Sequence, residues 1–297
     1  MTGLALVVVT AVWGLTFLQV KNAVAIYPLF AFLGVRFAIA SLALAPVAAP
    51  RLRGLGRDGA AAGLLLGALL AAAYALQTAG LERTTVSSAG FITGLYVVLT
   101  PLCALVLFKV GIPTPGWIGV AVATVGLGML SGVSAGSPAG DLLVLGCAAL
   151  NALQIVVMER VAPRFDAVAI TFVEMLVCFG GLGAFALALG QVEAPHGWTV
   201  WSALVVTGLF ASAFAFLVQA WAQRTMSAVR IALVFALEPV FAGVFGYLAG
   251  DRLGRLGWAG CAVIMGGILI SEPTAAADLR LVLSSGLRRG PAAGRRS

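Results

Sequence analysis

The sequence is poor in charge. Only 10% of its 297 residues are Asp, Glu, Lys or Arg, while 61% are hydrophobic. A soluble domain carries about 25% charged residues, so this scarcity excludes an ordinary water-soluble globule. Histidine occurs once, as His196, which leaves no material for a His-based metal site or a His proton relay. No Gly-x-x-x-x-Gly-Lys-Ser/Thr run occurs, so the chain offers no phosphate loop for ATP. The four cysteines, Cys103, Cys147, Cys178 and Cys261, all fall in apolar segments. They read as small hydrophobes, not as disulfide partners or metal ligands. Paired acids on one helix face and any Ser–His arrangement are also missing, and with them the usual equipment of an enzyme. No cofactor is expected.

What the chain does have is long apolar runs. Ten stretches read as spans one to ten: 4–20, 28–48, 60–80, 87–108, 115–132, 141–158, 167–189, 200–222, 227–250 and 256–271. Mean hydropathy is +1.08, and apolar runs of about 20 residues cross the hydrocarbon core as helices. The first run lacks a basic leader and precedes no soluble domain, so it reads as a span and not as a signal peptide. Connections are short and rich in Gly, Pro and charge, and the stretch 273–297 reads as a basic, disordered cytoplasmic tail. The expected fold is an all-α polytopic membrane protein with ten transmembrane helices.

The net charge of +7 would suggest a nucleic acid partner in a soluble protein. Here the cations gather in alternate connections. With the N-terminus inside, Arg51, Arg53, Arg57, Lys109, Arg160, Arg164 and Arg224 are cytoplasmic, against Lys21, Arg83, Arg252 and Arg255 outside. By the positive-inside rule this predicts a multi-pass protein of the cytoplasmic (inner) membrane with both termini cytoplasmic, and no nucleic acid partner. Trp198, Trp201 and Trp258 fall near outer span ends and Trp117 near an inner one, as interfacial anchors do.

The chain also resembles itself. At a shift of 138 residues, Arg36 meets Glu174 and Pro101 meets Pro239; at 141, Trp117 meets Trp258, Gly119 meets Gly260 and Gly126 meets Gly267. This divides the protein into two five-helix repeats, 1–133 and 139–272. An odd number of spans per repeat sets the second half the other way up, so the expected architecture is an inverted repeat, a transporter feature.

Three charges interrupt the apolar runs: Arg36, Glu174 and Glu238. Each costs roughly 2.5–3.5 kcal/mol at bilayer depth on insertion scales, so such groups face protein or water and mark function. Glu238 lies about 16 Å into span nine at 1.5 Å per residue, and Pro239 after it removes a backbone hydrogen bond and predicts a kink there. It could hold a cation, an ammonium or a proton, or it could secure helix packing as a neutral acid. Arg36 could attract an anion or be tied up inside the bundle; Glu174 could act in transport or serve structure.

Uncharged polar and aromatic residues outline a candidate substrate site. Trp13 and Thr16 share a face of span one, Tyr74 and Gln77 of span three, and Asn151 and Gln154 of span six; Tyr96, Gln219 and Glu238 complete the set. In lipid their polar groups would lack partners, so they should point inward, to a cavity or to one another. An aromatic, weakly polar cavity suits an amphipathic solute better than a bare ion. Gly63/Gly67 and Gly119/Gly126 allow close helix contact, and spans five and ten, which also carry Gly260, Gly266 and Gly267, read as scaffold or as a homodimer surface.

The ordered set Trp13-Gly14-x-x-Phe17, Arg36, Pro101, Leu237-Glu238-Pro239-Val240 and Gly250-Asp251-Arg252-Leu253 resembles EamA-type members of the drug/metabolite transporter superfamily, over roughly residues 4–272. The resemblance implies the ten-helix inverted-repeat fold and a central cavity lined by spans one, three, four, six, eight and nine. On that count Arg36, in span two, belongs to the bundle and not to the cavity. The chain departs from the family's frequent Gly-Glu after span nine, with Gly250-Asp251 in its place, and the matching first-half position near Gly111-Ile112-Pro113 carries no acid. The function implied is a secondary transporter that moves a small metabolite or drug-like solute by alternating access, with export as the direction. The alternatives are an integral-membrane enzyme and a channel or flippase on the same bundle.

Overall fold

The computed structural model describes residues 2–84, 86–131, 137–248 and 254–271. The motif at 250–253 and the basic tail lie outside them. The described residues form helices and no strand. In chain order these are α1 (Thr2–Val24), α2 (Leu29–Leu52), α3 (Gly56–Leu81), α4 (Val86–Gly94), α5 (Tyr96–Phe108), α6 (Thr114–Ser131), α7 (Pro138–Val161), α8 (Ala167–Ala188), α9 (Gly197–Gly208), a π-helical segment (Leu209–Phe214), α10 (Ala215–Ala222), α11 (Ala228–Phe235), α12 (Leu237–Leu248) and α13 (Arg255–Ser271).

Eight stretches among the described residues are long and apolar enough to cross a membrane, and the shorter apolar helices Thr114–Leu130 and Arg255–Ser271 lie where spans five and ten were expected. The latter, of 17 residues, extends only about 25 Å. The protein is thus a multi-pass, all-helical membrane protein. Its outer surface is apolar, with Leu4, Leu42, Val106 and Trp198 largely exposed where lipid would cover them.

Two expected spans are split. Span nine breaks at Ala236 between α11 and α12, which moves the expected kink ahead of Pro239. The proline ring clashes with the carbonyl four residues back, that of Phe235, and has no N–H to offer it, so the disruption falls there. Pro239 itself sits in the first turn of α12, where the missing N–H costs little. Span four breaks at Leu95, whose carbonyl accepts from both Val98 and Leu99. Pro101 is too far along to cause that break, which follows Gly94 at the end of α4. The two breaks are 141 residues apart, the same offset as Trp117 to Trp258.

Backbone contacts fix helix directions. A Cβ on Gly119 would lie 2.6 Å from the Gly267 oxygen, and one on Gly126 2.8 Å from the Gly260 oxygen. The start of α6 therefore meets the end of α13, and the two helices run antiparallel. The glycines expected to form scaffold or dimer surfaces are consumed inside the chain, except Gly266, which faces nothing. α2 and α8 are antiparallel too: Gly34 abuts Gly183 at one end, and Arg51 pairs with Asp166 at 3.7 Å at the other. Asp166 also caps α8, accepting from the backbone N–H groups of Val168 and Ala169. By contrast Gly63 meets Val173 and Gly67 meets Val177, so α3 and α8 run the same way.

Elsewhere α1 packs on α12 as α5 does on α7, α3 on α7 as α1 does on α9 and α10, and α3 on α8 as α2 does on α9. Exchanging the first half for the second leaves this neighbour scheme unchanged. Four apolar clusters result. Of the two largest, one joins α1, α5, α6, α7, α10, α11, α12 and α13, the other α1, α2, α3, α8, α9 and α10, and Trp13 packs against both.

Candidate functional site

Between the two largest clusters lies a narrow cavity of about 90 Å³. All nine residues picked out as a candidate substrate site line it: Trp13, Thr16, Tyr74, Gln77, Tyr96, Asn151, Gln154, Gln219 and Glu238. Its walls come from spans one, three, four, six, eight and nine, together with span two, which supplies Arg36. Placing Arg36 away from the cavity is therefore a misplacement. α2 also closes on α8, where Gly34 abuts Gly183.

Arg36 is 4% exposed and held from several sides. Its Nε donates to Ser212 Oγ at 2.8 Å and its Nη2 to Tyr74 Oη at 3.0 Å, with a longer contact to the Ala211 carbonyl at 3.5 Å. The guanidinium stacks 4.6 Å from the Tyr74 ring centroid. Ala211 and Ser212 belong to the π-helical segment, whose wider turn turns groups outward that an α-helix would engage. The Ala211 carbonyl also accepts from Trp13 Nε1 at 2.8 Å. One irregular turn thus anchors both Trp13 and Arg36. Ser212 and this turn escaped the sequence reading, since apolar periodicity carries no mark of an i→i+5 turn.

Glu238 lines the same cavity, in the first turn of α12, where the helix dipole favours a negative charge. Among the described residues it has no hydrogen bond or ion pair, and the only ion pairs are Arg51–Asp166 and His196–Glu193. α1 fits tightly beneath it: a Cβ on Gly14 would lie 2.9 Å from the Glu238 carbonyl and 2.7 Å from Ala242 N. Trp13, Phe216 and Phe235 form an aromatic wall, with Trp13 centroids 5.8 and 4.7 Å from the other two. Phe216 and Phe235 were not singled out in the sequence, where they look like ordinary core residues.

Glu174 does not line the cavity. It is completely buried and accepts from Gln154 Nε2 at 2.7 Å. Gln154 Oε1 accepts from Gln219 Nε2 at 2.9 Å, Gln219 Nε2 also donates to Gln223 Oε1 at 2.9 Å, and Gln223 Nε2 donates to the Ile155 carbonyl at 2.7 Å. This chain of amides connects the cavity wall to Glu174, whose second oxygen has no hydrogen-bond partner among the described residues. At one end of the bundle, Asp141 Oδ1 accepts from Thr84 at 2.6 Å and from Ser88 at 2.8 Å. There α3 and α7 are pressed together, with a Gly80 Cβ falling 2.9 Å from the Gly140 oxygen. No group of His, Cys, Asp and Glu among the described residues could hold a metal.

The model of the EamA-like transporter family matches twice, once on each half, over residues 1–132 and 138–271. The chain belongs to the EamA-like transporter family. A transporter of uncharacterized function from Archaeoglobus fulgidus is 34% identical over 245 residues, covering 82% of this chain and 76% of that one. A solved crystal structure, 18% identical, covers 93% of this chain and 96% of its own with a TM-score of 0.77, and shares the fold. As an EamA-like protein the chain is a membrane transporter, with the bilayer and a small solute as its partners.

Proposed function

We propose that this EamA-like protein is a secondary carrier. It moves a small amphipathic metabolite or drug-like solute across the cytoplasmic membrane by alternating access, in the direction of export, with both termini cytoplasmic. The observation that carries the reading is the convergence of polar side chains from seven spans, with Glu238 among them, on one cavity between the two largest apolar clusters. Its volume of about 90 Å³ is below the roughly 300–1,000 Å³ of ordinary small-molecule sites, so admitting a solute requires helices to part. The exchange-symmetric packing, the antiparallel α6 and α13, and the match of the family to each half support two inverted five-span repeats that rock about that cavity. The half-helices meeting at Leu95 and Ala236 supply natural hinges.

Counterflow in proteoliposomes tests this. Vesicles preloaded with a metabolite extract should take up labelled members of it in a saturable, exchange-dependent way. Ohmic flux without saturation would point to a channel, and product formation by the solubilised protein to an enzyme. If Glu238 couples transport to protons or cations, Glu238→Gln abolishes pH-driven uptake in a protein that still folds and inserts.

A further inference from the structure

We propose that Glu174 is a proton-binding site separate from the solute cavity, that its proton is carried on Oε2, and that its occupancy sets how tightly α7, α8 and α10 are held together. The site goes beyond the carrier reading, and its proton can be sought without any solute. Glu174 is completely buried in α8, and the ion pairs among the described residues leave it out. Its Oε1 accepts from Gln154, and its Oε2 has no hydrogen-bond partner among the described residues. The amides beyond it fit in one arrangement only. The Ile155 carbonyl can only accept, so Gln223 turns Nε2 to it and keeps Oε1 for Gln219. Gln219 Nε2 stands between two amide oxygens and gives one hydrogen to each. The Gln154 oxygen is taken up there, so its Nε2 faces Glu174. Reversing any one amide would set donor against donor or acceptor against acceptor. Oε1 is therefore always an acceptor, and a proton on this acid has to sit on Oε2.

A carboxylate can accept at about four lone-pair sites. Here it receives one neutral N–H, too little for a buried anion. A proton on Oε2 removes the charge and leaves the Gln154 bond in place. Thr171 Oγ1, three residues earlier on the same helix, is the other buried side-chain oxygen of α8 without a hydrogen-bond partner among the described residues, and it is free to accept. Away from the helix ends, the other titratable or charged side chains on the elements around this part of α8 are Arg36 of α2, Tyr74 of α3, Cys147 of α7 and Cys178 of α8 itself; α9, α10 and the π-helical segment carry none. Arg36 and Tyr74 are engaged with each other, Cys147 with Asn151 and Cys178 with the Gly67 carbonyl. Gln154 lines the cavity and touches Glu174, so one side chain separates the acid from the cavity, and exchange of its proton waits on the bundle opening. Ionised, Glu174 holds Gln154 by a charge-assisted bond roughly twice as strong as a neutral one; protonated, it holds it less. The amide chain joins α7, α8 and α10, so binding a proton loosens these helices of the second half.

The test is infrared difference spectroscopy of the full-length protein in proteoliposomes, between alkaline and mildly acidic buffer. The carbonyl stretch of a protonated carboxylic acid should appear in acid, be lost in Glu174→Gln and persist in Glu238→Gln. Gln154→Leu keeps the acid but frees its Oε1, so the same band should remain and move to higher wavenumber. The proposal is overturned by a parent protein without such a band, by a band that survives Glu174→Gln unchanged, or by one that Gln154→Leu does not move. Should Glu174→Gln fail to fold, the Gln154→Leu shift decides alone. Counterflow supplies the reading in transport. A purely structural Glu174 would change the exchange rate alike at every pH, whereas a proton site predicts that Glu174→Gln flattens the pH dependence to the rate of the parent in acid. Equal pH profiles in the two proteins overturn the proposal. If no solute shows counterflow, the carrier reading falls and the infrared result alone decides the proton site.

Discussion

Gln154 donates to Glu174 at 2.7 Å while its own amide oxygen accepts from Gln219, so a cavity-wall residue is oriented by an acid outside the cavity. Removing the acid should be felt as lost stability. Glu174→Ala strands the Gln154 amide in a buried site, at a cost of about 1–3 kcal/mol, and leaves a void beside Gln154. Glu174→Gln keeps the volume and an acceptor oxygen and should cost much less. Thermal denaturation in detergent distinguishes them; equal melting temperatures for the two variants would show that the contact does not hold the amide chain.

The glycine faces of α6 and α13 give a second expectation. A side chain at Gly126 would begin 2.7 Å from Ile264 N and 2.8 Å from the Gly260 oxygen, so Gly126→Val must push two backbones apart. Overpacking of this kind costs about 1–3 kcal/mol. Gly266→Ala, on the partner helix α13 with nothing within 4 Å, should be silent. A marked loss of thermal stability in the second variant would mean that Gly266 faces a partner, such as another copy of the chain.

Much of this was legible in the sequence, for a physical reason. Apolar runs declare helices in lipid, and polar groups such as Gln154 and Gln219 have to turn inward because the bilayer offers them nothing. The nine residues chosen on that ground do fall on one cavity. What stayed hidden depends on which helix sits beside which. Arg36 lines the cavity held by a group far away in sequence, its Nε donating to Ser212, 176 residues on. The Leu95 break and the π-helical turn at Ser212 leave no periodic trace, and the pairing of Gly119 with Gly267 could as well have been a contact between two copies.

Asp141 ties Thr84 and Ser88 across one end of the bundle, between α7 and the start of α4. At the shift of 138 residues its counterpart is Gly3, which has no side chain to form such a clamp. Asp141→Ala should loosen this end. Hydrogen bonds to a charged group are worth about 1.5–3 kcal/mol, which makes the open population about tenfold larger or more. The free thiol of Cys147, on the cavity wall and 1% exposed, reports it. A water-soluble maleimide should label Cys147 faster in Asp141→Ala than in the parent, by peptide mass spectrometry, and Asp141→Asn should fall between. Unchanged labelling would mean that this end is not a gate.

Trp117 and Trp258 carry the last test, because they occupy matching places at the starts of α6 and α13. Those helices are antiparallel, since Gly119 opposes Gly267 and Gly126 opposes Gly260. If both cross the bilayer, the two tryptophans lie at opposite membrane surfaces. The arginines at 51, 53 and 57 follow span two, and the positive-inside rule puts them in the cytoplasm. Counting spans from there puts position 117 on the cytoplasmic side and position 258 outside. A membrane-impermeant maleimide should therefore label Trp258→Cys in intact cells and Trp117→Cys only in inverted vesicles. Labelling of both from one side would leave the halves with the same orientation. A shared cavity could then not alternate between the two faces by exchange of equivalent conformations.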